Sequence, residues 1–303
     1  MLKRFYSKRD SGQKEEDETV NKLTDAFVLS NGVKIPCIGY GTWQTPDGET
    51  AVKAVKSAIE NGYRHIDGAA VYENETSVGE GIKESGIDRK ELFVTSKVWN
   101  NNRGYEKTIK ACEKSLKDFG LDYFDLYLIH WPANPKTNPD DWNEVNLDTW
   151  RGMIDLYKAG KVKAIGVSNF KVEQLKPLME TEVKPMVDQI ENHPGFWQPE
   201  IIKYCQENGI VVEAWSPMGS GAVLSNETMK KLAEKYGKTV AHMCIRWNLQ
   251  KNVLPLPKSV TPSRIADNTK VFDFTISDED MKMIDAIENV GYSGNNPETF
   301  DVM

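Results

Sequence analysis

The chain is poor in the residues that build several common kinds of site. Its 303 residues include only four cysteines and four histidines. Cys37, Cys112, Cys205 and Cys244 lie far apart without a CxxC pair, so neither a disulfide framework nor a zinc-finger spacing is expected, and a reducing, cytoplasmic compartment fits best. His65, His130, His193 and His242 form neither HxH nor HExxH, which leaves a metal hydrolase few ligands, and no metal is expected. There is no apolar run of about 20 residues and no secretory hydrophobic stretch, so no membrane partner is expected. A formal net charge of -7 argues against a nucleic-acid partner, although a local basic patch can still receive a phosphate. No GxGxxG follows a strand. Gly79-Glu80-Gly81 falls inside a helical pattern, where the glycines read as packing, so a Rossmann domain is not expected.

What is present is the balance of a globular, enzyme-sized protein, with 39% hydrophobic and 27% charged residues. Residues 1–25 open with a basic stretch, Met1 to Arg9, and run into acidic residues. They read as a solvated, disordered tail rather than a targeting segment. From residue 26 to 303 one domain is expected, in which apolar runs alternate with amphipathic segments. The runs are Ile38–Gly41, Arg64–Asp67, Leu92–Lys97, Asp125–His130, Ala164–Ser168, Met186–Gln189, Ile210–Trp215 and Val253–Leu256. Between them, Glu49–Asn61, Thr76–Ser85, Tyr105–Phe119 and Asp148–Ala159 have helical spacing, several closing at a glycine. Eight buried strands alternating with helices predict an α/β fold, a (β/α)8 TIM barrel, with an open doubly wound sheet as the competing architecture. Ala26–Pro36 reads as a hairpin turning at Asn31-Gly32 and plugging one end of the barrel. Thr261–Thr269 and Ser277–Glu288 predict two additional helices after the eighth strand.

Barrel function gathers where strands end, at their C-terminal edge. The second strand delivers Asp67 there, the third Lys97, the fourth His130, the fifth Ser168-Asn169, the sixth Gln189 and the seventh Trp215-Ser216. Buried polar ends need partners, so Asp67 and Lys97 are expected to pair. Singly, each residue has an ordinary structural reading. Together they place ionisable groups from three adjacent strands on one face. A tyrosine beside the Lys97 ammonium, Tyr72, is expected to have its pKa drawn down towards neutrality and to exchange a proton at working pH. A neutral or charged imidazole nearby can hold a carbonyl oxygen. Such a set protonates a carbonyl but supplies no electrons, so reduction requires a redox cofactor. Two loops offer phosphate sites: Trp215-Ser-Pro-Met-Gly-Ser-Gly221 with its small residues, and Pro257 to Arg264 with Lys258, Ser259 and Arg264 around a helix start.

At these residues the chain resembles the aldo-keto reductase family, from about residue 26 to the C-terminus, in character near bacterial diketogluconate and glyoxal (methylglyoxal) reductases. The resemblance rests on Gly41-Thr-Trp43, Arg64-His-Ile-Asp67, Tyr72-Glu-Asn74, Thr95-Ser-Lys97, Asp125 to Pro132, Ile165 to Phe170, Gln189, Trp215 to Gly219, and Lys258 through Asn268. It implies a catalytic tetrad of Asp67, Tyr72, Lys97 and His130, with Tyr72 as proton donor, in an NADPH-dependent enzyme that reduces small aldehydes, ketoaldehydes or keto-sugar acids. By the same resemblance Ser168, Asn169 and Gln189 meet the nicotinamide carboxamide, Trp215 stacks on its ring, and Ser216, Pro217, Met218, Gly219 and Ser220 follow the pyrophosphate. Lys258, Ser259 and Arg264 are implied at the 2'-phosphate, with Val260, Asp267 and Asn268 beside the adenosine and Gly41, Thr42 and Asp67 also along the cofactor. Trp43, Trp99 and Trp131 are expected at the substrate mouth together with Tyr72 and His130, and Phe170 is either a neighbour or core. The tail from Gly291 is short, which speaks against bulky, tightly enclosed substrates, and a monomer is expected. Two other readings stay open. One is a barrel glycosidase using Glu191 or Glu213 with Asp67, and the other a cofactor-binding regulatory barrel without useful turnover.

Overall fold

Strands buried on both faces can run parallel only if helices cover them, and the apolar runs of this chain meet that condition in sequence order. The computed structural model describes residues 20–301. A hairpin comes first: β1 (Ala26–Val28) pairs antiparallel with β2 (Lys34–Pro36). Gly32 has φ +86°, the left-handed turn conformation that the Asn-Gly pair allows. Asn31 Nδ2 donates to the carbonyl of Lys163, just before the fifth barrel strand, and Leu29 and Ile35 are buried, so the hairpin closes the N-terminal end of the barrel.

The barrel strands are β3 (Tyr40–Gly41), β4 (His65–Asp67), β5 (Phe93–Val98), β6 (Leu126–Ile129), β7 (Ile165–Ser168), β8 (Val187–Glu191), β9 (Val211–Trp215) and β10 (Val253–Pro255), each parallel to its sequence neighbour. The ring closes through main-chain bonds from Gly39 N to Pro255 O and from Gly41 N to Pro257 O, both 3.1 Å. That closure decides for the (β/α)8 barrel over the open doubly wound sheet.

The helices are α1 (Glu49–Glu60), α2 (Glu75–Glu84), α3 (Tyr105–Phe119), α4 (Trp142–Lys158), α5 (Val172–Met179), α6 (Pro199–Glu207), α7 (Glu227–Tyr236), α8 (Val240–Gln250), α9 (Pro262–Asp267) and α10 (Asp278–Asp285). Helix α4 starts at Trp142, six residues before the expected Asp148. In its first turns Trp142, Val145 and Leu147 are only half-buried and the one fully buried residue is polar, Asn146, so the apolar signal there is weaker than in the rest. The two helices predicted after the last strand form, but only α10 is additional to the barrel there. The short α9 packs beside α1 as the eighth barrel helix, and the other surplus helix is one of the pair α7 and α8, both lying between β9 and β10. Gly79 and Gly81 are packing residues as expected. A Cβ on Gly79 would sit 2.2 Å from the Phe119 carbonyl oxygen, and one on Gly81 2.9 Å from that of Val52. Of the expected tail, residues 1–19 lie outside the described residues, whereas Val20 is buried and its carbonyl accepts from Arg246 Nη1 at 3.1 Å. Among the described residues no helix is long and apolar enough to cross a membrane.

Candidate active site

Adjacent strand ends bring Asp67, Lys97 and His130 to one spot. Lys97 is completely buried, and its Nζ donates to both carboxylate oxygens of Asp67 and to the Gly68 carbonyl at 2.8 Å, and to the Tyr72 hydroxyl at 3.3 Å. Burial alone would lower the Lys97 pKa, but Asp67, through its charge and its hydrogen bonds, holds the ammonium above its ordinary range, with Tyr72 and Glu213 adding to this at the high pH where they ionise. Tyr72 reaches this point from a 3-10 turn, Ala70–Tyr72, whose end, Glu73, takes the left-handed conformation. Behind it, Asn74 Nδ2 donates to the Thr42 and Thr45 carbonyls and ties the turn to the loop after β3.

The Tyr72 pKa does not fall towards neutrality as expected. It is pushed up to about 12, first by burial and also by Asp67, against the downward pull of Lys97. The expectation weighed the ammonium and left out desolvation and the carboxylate. His130 is held well below its usual range by burial and by the Lys97 charge, so its imidazole is neutral. Its ring meets those of Tyr72 and Trp99 edge to face at 5.6 and 5.0 Å. Among the described residues its enclosed Nδ1 has no hydrogen-bond partner. The small residues after Asp67 answer to packing. A Cβ on Gly68 would meet the Phe119 ring at 2.8 Å, and Ala69 is fully buried.

On the far side of Asp67, Ser168 Oγ donates to the Gln189 carbonyl at 2.7 Å. Asn169, in the left-handed region at φ 63°, donates from Nδ2 to His130 O and Ser168 Oγ and accepts from Trp215 Nε1 at 2.7 Å. Both N–H groups of the Asn169 amide are thus engaged within the protein, while its Oδ1, with one bond from Trp215, keeps a second lone pair. Gln189 Nε2 donates to Asp67 Oδ1 and to Glu213 Oε2. After Trp215 the loop passes through Ser216, Gly219, Ser220 and Gly221, all with positive φ.

These groups share a cleft of about 870 Å³. Of the residues expected at a site, Gly41, Trp43, Asp67, Tyr72, Trp99, His130, Trp131, Ser168, Asn169, Gln189, Trp215, Ser216, Pro217, Met218, Ser220, Lys258, Ser259, Arg264, Asp267 and Asn268 line it. Others do not. Thr42 is buried with its hydroxyl on the Asp67 carbonyl, Lys97 stands behind Asp67, Gly219 packs against His193 and Gly291, and Val260 is exposed outside the cleft. Phe170 is fully buried core. Glu191 is taken up by Ser293 and His193, and Glu213 lies beneath Gln189. Neither reaches the cleft, and a glycosidase would lack its second carboxylate beside Asp67.

The sequence reading missed Gln44, Val71, Leu224, the start of α8 at Thr239 to Ala241, Leu256, Asn295 and Phe300, all of which line the cleft. The short tail also takes part. Phe300 stacks on Trp131 with centroids 3.9 Å apart, its carbonyl accepts from Asn134, and Lys171 pairs with Glu298 at 2.6 Å. Phe300 thus forms one wall of the cleft.

At the opposite end the Lys258 ammonium donates to the Gln44 carbonyl, and burial lowers its pKa. Among the described residues neither Lys258 nor Arg264 has a carboxylate within ion-pair distance. Asp267, by contrast, is occupied by His242 and Lys270 at 3.1 and 3.5 Å. The cleft therefore has an acid-base end and a cationic end.

A model of the Aldo/keto reductase family matches residues 37–289. Glyoxal reductase of Bacillus subtilis (strain 168) is 50% identical over 277 residues, spanning 91% of this chain and 97% of that protein. Among solved structures, an aldo-keto reductase from a Medee basin deep-sea metagenome library is 45% identical with a TM-score of 0.85, covering 91% of this chain and all of the other. A Bombyx mori aldo-keto reductase in complex with NADP is 36% identical with a TM-score of 0.80, covering 88% and 94%.

Proposed function

Because the chain belongs to the aldo/keto reductase family, we propose that it is an NADPH-dependent reductase of small aldehydes and ketones, with Tyr72 as the proton donor and Asp67, Lys97 and His130 completing the catalytic set. The observation that carries this reading is one cleft with Tyr72 3.3 Å from a buried ammonium at one end and two cations without carboxylate partners at the other. The residues fit the cofactor. Lys258 and Arg264 suit a dianionic 2'-phosphate, the positive φ of Ser216, Gly219, Ser220 and Gly221 gives the loop after β9 the kind of backbone that can form an anion-binding concavity, and Trp215 offers a flat apolar face.

When bound, NADPH supplies the hydride. The protein's part is to hold a carbonyl oxygen between Tyr72 and the neutral His130 and to pass the phenolic proton to that oxygen. Lys97 then stabilises the phenolate left on Tyr72, and Asp67 keeps Lys97 charged and in place. The mouth formed by Trp43, Trp99, Trp131 and Phe300 suits small, partly apolar carbonyls such as ketoaldehydes of the methylglyoxal type, simple aldehydes or keto-sugar acids. Four buried, unpaired cysteines accord with a reducing compartment.

Following NADPH and NADH oxidation with a panel of ketoaldehydes, aldehydes, aldoses and keto-sugar acids tests the reading. Turnover with ketoaldehydes and a preference for NADPH are expected. Tight NADPH binding with no turnover over the whole panel would instead favour a regulatory barrel. Arg264→Ala should weaken NADPH about tenfold to a hundredfold, the worth of one or two charge-assisted bonds, and leave NADH nearly unchanged. Equal losses for both nucleotides would remove Arg264 from the 2'-phosphate.

A further inference from the structure

Resting on that cofactor reading, we propose that Glu213, a residue outside the cleft, is a positioning residue that fixes the Gln189 amide so that its carbonyl oxygen faces the nicotinamide carboxamide. The two N–H groups of Gln189 Nε2 are both taken, by Asp67 Oδ1 at 2.9 Å and Glu213 Oε2 at 2.8 Å. An amide turned the other way would set its oxygen against the Asp67 carboxylate, which Lys97 keeps charged and which has no proton to offer. Asp67 alone satisfies one N–H. Glu213 supplies the second acceptor in a place sealed from water, where an unmatched N–H is costly.

What remains of Gln189 is Oε1, which accepts from no described residue and belongs to a side chain lining the cleft. It is the natural acceptor for a carboxamide NH2, since both of its lone pairs are open whereas Asn169 Oδ1 already accepts from Trp215. The role also accounts for a carboxyl group fully buried inside the barrel with one oxygen, Oε1, unpartnered and 3.8 Å from His65 Nε2. The charged and titratable groups facing it are Asp67, Lys97 and His65. Burial and the Asp67 charge push Glu213 up to about 8, and His65 is neutral. At neutral pH Glu213 is therefore mostly an uncharged acceptor, and the Lys97 charge is balanced by Asp67 alone.

The test measures NADPH affinity by calorimetry without any carbonyl substrate, on wild type, Glu213→Leu, Glu213→Gln, Gln189→Leu and the double variant Glu213→Leu/Gln189→Leu, with thermal unfolding of each. Glu213→Leu should weaken NADPH about tenfold. Glu213→Gln, which keeps an uncharged acceptor of the same reach, should stay within about threefold of wild type. The double variant should bind as Gln189→Leu does alone, because Glu213 acts through Gln189. If the leucine variant does not fold, Glu213→Met carries the same expectation. The inference is overturned if an apolar residue at 213 leaves NADPH affinity at the wild-type level, or if its loss multiplies with that of Gln189→Leu. A wild-type protein that does not bind NADPH would overturn the cofactor reading, and this inference with it.

Discussion

Replacing Tyr72 by Phe should lower carbonyl-dependent NADPH oxidation by about two to four orders of magnitude, the usual contribution of a positioned general acid, while NADPH affinity and thermal stability stay near wild type. The substitution removes one oxygen. That oxygen accepts a long bond, 3.3 Å, from an ammonium with three shorter partners, so little folding energy goes with it. The ring remains to meet His130 edge to face. With its pKa pushed up to about 12 by burial, Tyr72 holds its proton throughout the working range. In the proposed reduction it would be a donor that needs the neighbouring ammonium only when the phenolate forms. Two results follow for steady-state rates in NADPH oxidation. The wild-type rate of reduction should show no fall assignable to Tyr72 between about pH 6 and 9, and the Phe variant should lose the same factor at both ends of that range. A variant that turned over at near wild-type rate would remove Tyr72 from the chemistry.

The barrel was legible because its strands are short, mostly apolar runs, several of which run out at a polar residue. Those polar residues mark one edge of the sheet, with Asp67, Lys97, His130 and Gln189 on it. Closure was expected from the count of eight strands, but the contacts that make it were not legible, since β3 is only two residues long and meets β10 through Gly39 and Gly41, whose sequence signal is the same as that of a turn. What the chain hides is which side chains strand register and packing bring together. Glu213 reads as a polar residue within a strand, and only the fold brings it 2.8 Å from Gln189. Phe300 is far from every motif and becomes a cleft wall only because Asn134 and Lys171 hold the tail there. The Tyr72 pKa was misread for a related reason: a sequence names the neighbouring charges but not how completely water is shut out.

Lys97→Met should damage both stability and catalysis, which sets it apart from Tyr72→Phe. The methionine fills much of the space but leaves the Asp67 carboxylate, itself almost fully buried, facing an apolar chain with only Gln189 Nε2 and neighbouring dipoles to meet it. Breaking a buried pair from one side costs about 3 to 5 kcal/mol, a loss that denaturant unfolding can measure. The Lys97 pKa in the folded protein lies above its ordinary 10.5. Its stabilising contribution is therefore complete below that ordinary value and is lost only as pH rises through the higher, folded one. The destabilisation by methionine should accordingly be the same at pH 6 and pH 8. Adding Asp67→Asn removes the stranded charge, so the double variant should recover part of the stability while remaining as inactive as Lys97→Met. That split separates the two duties of the lysine. Stability depends on neutralising Asp67, which a neutral amide also relieves, whereas the proposed reduction would depend on a positive charge beside the Tyr72 oxygen, which among the described residues only Lys97 supplies. If the double variant were no more stable than Lys97→Met, the pair would be a packing feature and the charge argument for the site would lose its footing.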